Sequence, residues 1–377
     1  MNSPLLRATR RILCPDHLEA GKILAMGKTR TISTSSTGRP HRKTPKPKDA
    51  CIICVSSRAL FDLREGRTIM EDQGLEQYIK HMVDSENTPL APGPAFAFVQ
   101  AIEAVNLALL EINPEEKNLF DVVLMSENHA QCGVRYLNSI RHHGLNIERV
   151  CLTAGRPVTS YLSAYGTHLY LSTDHEKVKD ALKVGVPAAT LPPYSKSIEE
   201  NDELRVAFDG DAVLFSDEAE AVAKREGLFR FFDHETENED IPLQKGPLIQ
   251  FAWILGQMQK KFRQVQTECP IRTYLVTARS AASAGSRAMK TLRSWGLDID
   301  EAHFMAGAPK GPLLDKIKPH LFFDDQVDNI KSSTEYGLPA AHVPWGVANE
   351  SKVSIHEGKD TSDTSENPPC AQEKASE

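Results

Sequence analysis

Two carboxylates separated by one residue form the most specific chemical pattern in the chain. Asp209 and Asp211 flank Gly210 and follow the apolar residues 206–208. A short, continuous apolar run is typical of a strand in a parallel sheet covered on both faces, so the acids should lie at its carboxyl end, where open α/β sheets bind ligands. Neighbouring carboxylates repel each other unless a cation lies between them, which indicates a hard metal ion. Alone, the pattern fits an Asp-rich turn equally well.

A second apolar run, at residues 271–277, ends in a hydroxyl group. Thr277 is followed by Ala278 and Arg279 and then by an amphipathic run at 281–295. A strand that leads into a helix N-terminus forms an anion site, because free N–H groups and the helix dipole both point at it. Thr277 by itself would be an ordinary helix N-cap, and Arg279 fits either a substrate contact or an outer salt bridge.

A lysine and a further pair of acids follow in the chain. Lys310 lies in a turn rich in Gly and Pro at 306–312, and Asp324 and Asp325 end a third apolar run that begins at His320. A lone lysine is ordinarily a solvated surface residue. Because Asp209 and Asp324 end corresponding strands, we expect Lys310 to belong to the same site.

These four motifs, in this order, resemble those of the haloacid-dehalogenase-like phosphotransferase superfamily. The segments that contain them resemble the type I cytosolic 5′-nucleotidases more closely, and the similarity extends from about residue 50 to about residue 347. The supporting segments are 56–61, 92–96, 208–217, 273–283, 306–314 and 322–326. The resemblance implies an α/β fold of the Rossmann-like type, with a mostly parallel sheet and a small helical cap over the strand ends.

The resemblance also implies an activity, the Mg²⁺-dependent hydrolysis of nucleoside 5′-monophosphates, with AMP preferred and deoxyribonucleotides accepted. Asp209 would be the nucleophile that forms an aspartyl phosphate, and Asp211 would protonate the leaving oxygen and then activate water. The implied metal site consists of Asp209, the main-chain carbonyl of Asp211, Asp324 and, as a ligand or a neighbour of one, Asp325. The implied phosphate and substrate contacts are Thr277, Ala278, Arg279 and Lys310. Activation by ADP and self-association are further family expectations, for which no residue here gives direct support.

Two other functions stay open at this point. One keeps the chemistry and changes the substrate to another small phosphomonoester, such as a sugar phosphate, or to a phosphoprotein. The other is a nucleotide-binding regulatory protein without turnover. The presence of both Asp209 and Asp211 favours an enzyme in the second half of the chain.

The first half of the chain repeats the turns and apolar positions of the second half. The segments 144–147, 154–157, 168–173 and 185–189 correspond to 296–299, 306–309, 320–325 and 337–341, at an offset of about 152 residues. We interpret this as an internal duplication. The predicted fold class is therefore α/β with tandem haloacid-dehalogenase-like halves.

The polar residues of the second half are exchanged in the first. The replacements are Ser56 for Asp209, Arg58 for Asp211, Val158 for Lys310, and Ser172 and Thr173 for Asp324 and Asp325, whereas Ser126 keeps the hydroxyl of Thr277. We therefore predict a folded but non-catalytic first half. Its Arg58 would either neutralise a buried carboxylate or bind the phosphate or carboxylate of an effector.

These patterns predict four segments. Residues 1–49 form a basic, flexible tail whose composition also fits a mitochondrial transit peptide, and residues 348–377 form a disordered tail. Residues 50–197 form the non-catalytic repeat, and residues 198–347 form the catalytic domain, with a cap insert at about 218–269. In this cap, Phe229, Phe231 and Phe232 would stack on a base or form the cap core.

Composition excludes several classes of protein. The 377 residues are 40% hydrophobic and 25% charged, which allows two domains of ordinary size, and the net charge of −7 argues against binding nucleic acid by phosphate neutralisation. No stretch approaches the ~20 apolar residues of a membrane helix. Seven cysteines without paired metal spacing suit a reducing, cytoplasmic setting. Cys51 and Cys54 lie in an apolar run and are interpreted as buried hydrophobes rather than a redox or zinc pair.

Overall fold

The computed structural model describes residues 45–192, 203–347 and 349, which form a ten-stranded sheet flanked by helices. The strands are β1 (Cys51–Ser56), β2 (Phe120–Ser126), β3 (Arg149–Leu152), β4 (Leu169–Ser172), β5 (Ala188–Thr190), β6 (Leu204–Phe208), β7 (Ile271–Thr277), β8 (Glu301–Phe304), β9 (Leu321–Asp324) and β10 (Ala340–His342). The predicted tails at 1–49 and 348–377, and the predicted boundary at 197–198, lie almost entirely outside the described residues.

Twelve α-helices occur in the described part of the chain. They are α1 (Ser57–Leu60), α2 (Arg64–Asp84), α3 (Phe96–Ile112), α4 (Gly133–His142), α5 (Thr159–Tyr165), α6 (His175–Lys183), α7 (Glu218–Glu226), α8 (Leu228–Glu237), α9 (Ile249–Gln264), α10 (Ser286–Ser294), α11 (Gly311–Ile317) and α12 (Val327–Glu335). Within these described residues, no helix combines the length and the apolar character that crossing a lipid bilayer requires.

The sheet is mixed but mostly parallel. Its strand order is β3-β2-β1-β4-β5-β10-β9-β6-β7-β8, and β5 with β10 is the antiparallel pair among the nine neighbouring pairs described. The predicted α/β class with a mostly parallel sheet is therefore confirmed. The three apolar runs of the sequence become the adjacent strands β7, β6 and β9, so their carboxyl ends meet at one edge of the sheet.

Equivalent pairings occur on the two sides of the sheet. Ile53 of β1 pairs with Val122 and Leu169, whereas Val206 of β6 pairs with Thr273 and Leu321. In this register Val55 corresponds to Phe208, so the residues that follow these two, Ser56 and Asp209, occupy equivalent strand ends. A main-chain detail also recurs, because His168 Nδ1 accepts a hydrogen bond from Ile52 N at 3.0 Å and His320 Nδ1 accepts one from Arg205 N at 3.1 Å.

Both faces of the sheet are covered by apolar clusters. Cys51 belongs to the cluster on one face of β1, and Cys54 belongs to the cluster on the other. Both thiols are buried and free of disulfides, and burial raises the pKa of the Cys54 thiol to about 12. Their placement agrees with the interpretation of this pair as small hydrophobic residues.

The segment between β6 and β7 divides into two parts. Helices α7 and α8 pack on each other, and α8 also contacts the turn at Ala281–Gly285 that follows β7. Helix α9, in contrast, packs against β7. The segment predicted as an insert at about 218–269 thus contains a helix pair that contacts the turn after β7, followed by a helix that packs against β7.

At two positions the chain requires glycine because another main-chain segment passes too close for a side chain. A Cβ on Gly246 would lie 2.3 Å from the main-chain oxygen of Phe215 and 2.5 Å from that of Val213, and Gly93 meets the backbone of residues 59–61 in the same way. We expect Gly246→Ala to lower the free energy of unfolding by about 2 kcal/mol, because the backbone cannot move aside as a flexible side chain could.

Gly256 provides the matched control for this substitution. It lies within α9, where an added Cβ would meet only Leu297 Cδ1, at an ordinary 3.5 Å. Gly256→Ala should therefore raise the free energy of unfolding by about 0.5–1 kcal/mol through helix propensity. Chemical denaturation of both variants measures the difference, and equal effects would contradict the steric explanation.

Candidate active site

The end of β6 places Asp209 at the centre of a buried polar cluster. The chain turns tightly over Gly210–Leu214 directly after this residue, and Asp209 Oδ1 accepts a hydrogen bond from Gly210 N at 2.6 Å. A Cβ on Gly210 would lie 3.0 Å from Thr277 Oγ1 and 3.3 Å from the ring of Phe215. The glycine thus allows β6 and β7 to bring a carboxylate and a hydroxyl close together.

Lys310 joins two of the acids. Its ammonium group lies 2.8 Å from Asp209 Oδ1 and 2.7 Å from Asp324 Oδ2, and the side chain is 3% exposed. Burial lowers the pKa of Lys310, but the negative charges of Asp209 and Asp324 outweigh this effect and raise it. Burial raises the pKa of Asp209, although Lys310 opposes that shift. The lysine is therefore charged and balances part of the buried negative charge.

Asp324 and Asp325 complete the cluster from the end of β9. Asp324 accepts hydrogen bonds from Gln326 N at 2.8 Å and from Asn329 Nδ2 at 3.1 Å. Asp325 is 1% exposed, and its Oδ2 has no hydrogen-bond partner among the described residues. Burial and the neighbouring carboxylates raise the pKa of Asp325 to about 9.

The donor set fits a hard divalent cation. One oxygen from each of Asp209, Asp324 and Asp325 lies within 4.8 Å of the others. When the three carboxylates are ionised, they and the single ammonium of Lys310 carry a net charge of two negative units. A divalent cation would balance this charge. The unpartnered oxygen of Asp325 supplies a free ligand atom, and oxygen ligands are those that Mg²⁺ prefers.

Thr277 and its successors lie at the adjacent strand end. Thr277 is buried, and its hydroxyl accepts a hydrogen bond from Arg279 N at 3.2 Å. Ala278 is exposed, and its carbonyl accepts from Gly307 N at 3.1 Å. The structure thus brings this loop, the turn after β6 and the turn at 306–312 to one end of the sheet.

Arg279 has two acidic partners. Its Nε donates to Asp211 Oδ2 at 2.8 Å, its Nη2 donates to Asp211 Oδ1 at 2.7 Å, and its Nη1 donates to Glu235 in α8. Glu235 also accepts from Arg287 Nη1 at 2.8 Å, and Arg287 Nη2 contacts Glu218 at 2.7 Å. In this structure Arg279 is therefore an ion-pair partner of Asp211 and links it to the α7–α8 helix pair.

A cavity of about 540 Å³ opens beside Asp209 and Asp211. Its polar wall includes Thr277 and Arg279, and the helix pair contributes an apolar wall formed by Leu228, Phe231 and Phe232. Phe229 is 88% exposed and does not line this cavity. Of the three aromatic residues singled out in the sequence, Phe231 and Phe232 therefore combine packing within the helix pair with a position at the cavity wall.

Three residues of the site had no clear signal in the sequence. Glu235 and Arg287 lie on helices whose charged residues look solvent-exposed in an amphipathic pattern, yet they are 1% and 3% exposed. Asn329 follows Asp324 by five residues, at the start of α12, and a lone asparagine there resembles any other helix residue. Only packing reveals that each supports a residue of the cluster.

The buried position of Glu235 predicts a large effect on stability. Glu235→Ala leaves Arg279 and Arg287 without their shared acid, so the free energy of unfolding should fall by about 3–5 kcal/mol. Glu237 on the same helix pairs with Arg230 at the surface, and Glu237→Ala should cause no measurable change. Denaturant unfolding of both variants compares them, and a small loss for Glu235→Ala would show that the network is not structural.

Comparisons with known proteins indicate the family of the chain. A family model described as 5′-nucleotidase matches residues 44–350. Human "Cytosolic 5′-nucleotidase 1B" is 53% identical over 301 residues, which cover 79% of this chain and 49% of that protein. The chain thus spans about half the length of this relative.

A solved structure of a mutant O-GlcNAc transferase from Thermobaculum terrenum aligns with 80% of this chain and 54% of its own, at 10% identity and a TM-score of 0.19. A score this low bears on neither fold nor function. The family match, in contrast, spans all of the described residues, including every residue of the buried acidic cluster. The chain therefore belongs to the 5′-nucleotidase family.

Proposed function

We propose that this chain hydrolyses nucleoside 5′-monophosphates in a Mg²⁺-dependent reaction. The observation that carries the proposal is the buried cluster of Asp209, Asp324, Asp325 and Lys310 beside a cavity of nucleotide size. Family membership supports the same conclusion. The name of the human relative also supports a cytoplasmic setting for the reaction.

Asp209, Asp324 and Asp325 would hold the metal ion, together with the main-chain carbonyl of Asp211. When bound, Mg²⁺ supplies positive charge that stabilises the transferring phosphoryl group. The side chain of Asp325 supports this assignment because a buried, unpartnered carboxylate is costly without a cation.

The protein side chains would then act in two steps. A carboxylate oxygen of Asp209 attacks phosphorus, the bond to the leaving alkoxide breaks, and an aspartyl phosphate forms. Asp211 gives a proton to the leaving oxygen, and in the second step it removes a proton from the water that attacks the aspartyl phosphate. Both oxygens of Asp211 are engaged by Arg279, so proton donation requires one of them to be released.

Two donors would contact the phosphate from the protein side. The Thr277 hydroxyl and the Lys310 ammonium lie on either side of Asp209, close to where the phosphoryl oxygens would be. Ala278 would contribute through its main chain in the same loop. Arg279 would act on the substrate only after leaving Asp211, and otherwise it holds Asp211 in place.

The substrate class follows from the shape and chemistry of the cavity. Leu228, Phe231 and Phe232 form an apolar wall opposite the acids, which suits a base and ribose better than a free sugar. The family resemblance further implies AMP as the preferred substrate, with deoxyribonucleotides also accepted, and we include both in the proposal. ADP activation and self-association stay predictions of the family resemblance.

The proposal includes a tandem architecture. The two five-strand groups have matching register, and equivalent turns have the same backbone geometry, with Ala154 and Ala306 at φ values of 49° and 48°. Residues 50–197 would form the non-catalytic half and 198–347 the catalytic half. The helix pair α7–α8 would be its cap.

A substrate panel tests the function directly. With Mg²⁺ present, we expect AMP to be cleaved to adenosine and phosphate at least tenfold faster than glucose 6-phosphate, because only AMP carries a base that can pack on the apolar wall. Asp209→Asn should abolish this hydrolysis while the protein stays folded, and Asp328→Asn, on the exposed surface of α12, should have no effect. Equal rates on both substrates would favour a general phosphomonoesterase, and retained activity in Asp209→Asn would remove Asp209 from the nucleophile role.

A separate prediction concerns the metal site. The pKa of Asp325 lies above its ordinary value of 3.8 when the protein is folded, so the metal-free protein binds this proton more tightly than the unfolded chain does. Its stability should therefore fall as the pH rises from about 4 to about 9. Asp325→Asn removes this loss, so at pH 8 the metal-free variant should melt at a higher temperature than the wild type.

The same variant should lose the stabilisation that Mg²⁺ gives to the wild type, because a negatively charged carboxylate ligand has been replaced by a neutral amide. Thermal melts with Mg²⁺ and with a chelator measure both effects without reference to activity. An undiminished Mg²⁺ shift in Asp325→Asn would exclude this carboxylate from the metal site.

A further inference from the structure

The first half of the sheet has a cavity of its own at the corresponding strand ends. It lies at the carboxyl ends of β1, β2 and β4 and has a volume of about 410 Å³, which is typical of small-molecule sites. Ser56, Ser126 and Ser172 end these three strands and line the cavity. Their positions match those of Asp209, Thr277 and Asp324, so this cavity corresponds to the candidate active site in place but not in chemistry.

The two cavities differ in the charge of their walls. The wall of the first-half cavity contains three cations and two acids, namely Arg58, Arg67, Lys177, Glu71 and Glu127. The wall of the second-half cavity contains one cation and three acids, namely Arg279, Asp209, Asp211 and Glu220. Among the described residues, a cluster of three potential metal ligands occurs in the second half alone. Asp174, Glu71 and Glu127 pair with these three cations, so an anionic ligand of the first-half cavity would meet ion-paired cationic donors rather than a group of unpaired carboxylates.

Arg58 and Lys177 keep their charged groups at the wall through a shared acid. Arg58 Nη2 donates to Asp174 Oδ2 at 3.3 Å, and Lys177 Nζ lies 3.4 Å from the same oxygen and donates to Glu127 at 2.7 Å. A guanidinium group has five N–H donors and an ammonium group has three. These contacts leave donors on both cations for a ligand, and both side chains are partly exposed.

Tyr170 places a buried phenol in the wall of this cavity. The side chain is fully buried, and its hydroxyl oxygen makes no hydrogen bond of standard geometry within the described residues, although the side chain of Ser172 lies close enough to interact with it. In register, Tyr170 corresponds to Phe322, and it lines the cavity together with Val158, the residue that replaces Lys310. A buried hydroxyl without a well-formed hydrogen bond costs stability, and a ligand oxygen that accepts a hydrogen bond from it would remove this cost.

Part of the wall is apolar. Leu63, Met70 and Met125 line the cavity alongside the polar residues. We propose that the first-half cavity binds a phosphate ester carrying an aromatic or other apolar group, without a metal ion. The phosphate accepts hydrogen bonds from the Tyr170 hydroxyl, Lys177 and Arg58, and the apolar group packs on the two methionines and Leu63.

Calorimetric titration in excess chelator tests this site with three probes: AMP, ADP and inorganic phosphate. At least one nucleotide should bind the wild-type chain saturably, with one site per chain and an affinity at least tenfold higher than that of inorganic phosphate. Tyr170→Phe should weaken this binding about tenfold, because one hydrogen bond to a charged group is lost. The melting temperature of the ligand-free variant should be unchanged or higher, since the hydroxyl without a well-formed hydrogen bond is gone.

Matched variants separate this site from the candidate active site. Lys177→Ala should weaken binding about tenfold, whereas Lys179→Ala, two residues along the same helix and paired with Glu176, should not. Thr277→Val, which removes a hydroxyl from the candidate active site, should leave binding in chelator unchanged. Hydrolysis of AMP with Mg²⁺ should be retained in Tyr170→Phe.

Three results would overturn the proposal. They are the absence of binding by both nucleotides, equal affinity for inorganic phosphate, and binding that is lost in Thr277→Val but kept in Tyr170→Phe and Lys177→Ala. Each is independent of the proposed hydrolysis, which is measured separately with Mg²⁺.

Discussion

The ammonium group of Lys310 is the interaction on which the candidate site depends. Placing two carboxylates within 3 Å of one buried cation is tolerable only because that cation stays charged. The turn at 306–312 brings the lysine to the ends of β6 and β9, which are neighbours in the sheet. Without Lys310, Asp209 and Asp324 would face each other and Asp325 with no cation of the cluster to offset their charge.

A second constraint is the continuity of the sheet. Strands β5 and β10 join the two strand groups by an antiparallel pairing of Thr190 with His342. His342 also donates from Nε2 to the main-chain oxygen of Asp325 at 2.8 Å. Its ring stacks on the ring of His175, with 5.4 Å between the two ring centroids. The junction between the groups is thus in direct contact with the acidic cluster, which ties the position of Asp325 to the packing of both groups.

Corresponding positions in the two strand groups share their backbone geometry and differ in their charges. Acids stand at the ends of β6 and β9, whereas hydroxyl residues stand at the corresponding ends of β1 and β4. The cation Arg58 occupies the position that corresponds to Asp211. In the structure Arg58 pairs with Asp174, whose side chain is only partly buried, whereas the prediction is a buried carboxylate. Its remaining donors are what the proposed second ligand site would use, so the two interpretations of Arg58 are compatible.

The sequence by itself determined three strands, the polar residues at their ends and the residues of the buried acidic cluster. Apolar runs that end in Asp209, Thr277 and Asp324 predict three strand ends, and parallel pairing must then bring them to one edge. The similar segments at an offset of about 152 residues also indicated which half of the chain lacks these groups. Only the tertiary structure decided what the charged side chains contact. That Arg279 binds Asp211 and Glu235, that Glu235 is buried, and that Tyr170 lacks a well-formed hydrogen bond depend on distances between segments far apart in the chain. Local sequence patterns report the period of an element but not which element packs against it, and a charged residue looks the same on an exposed helix and on a buried one.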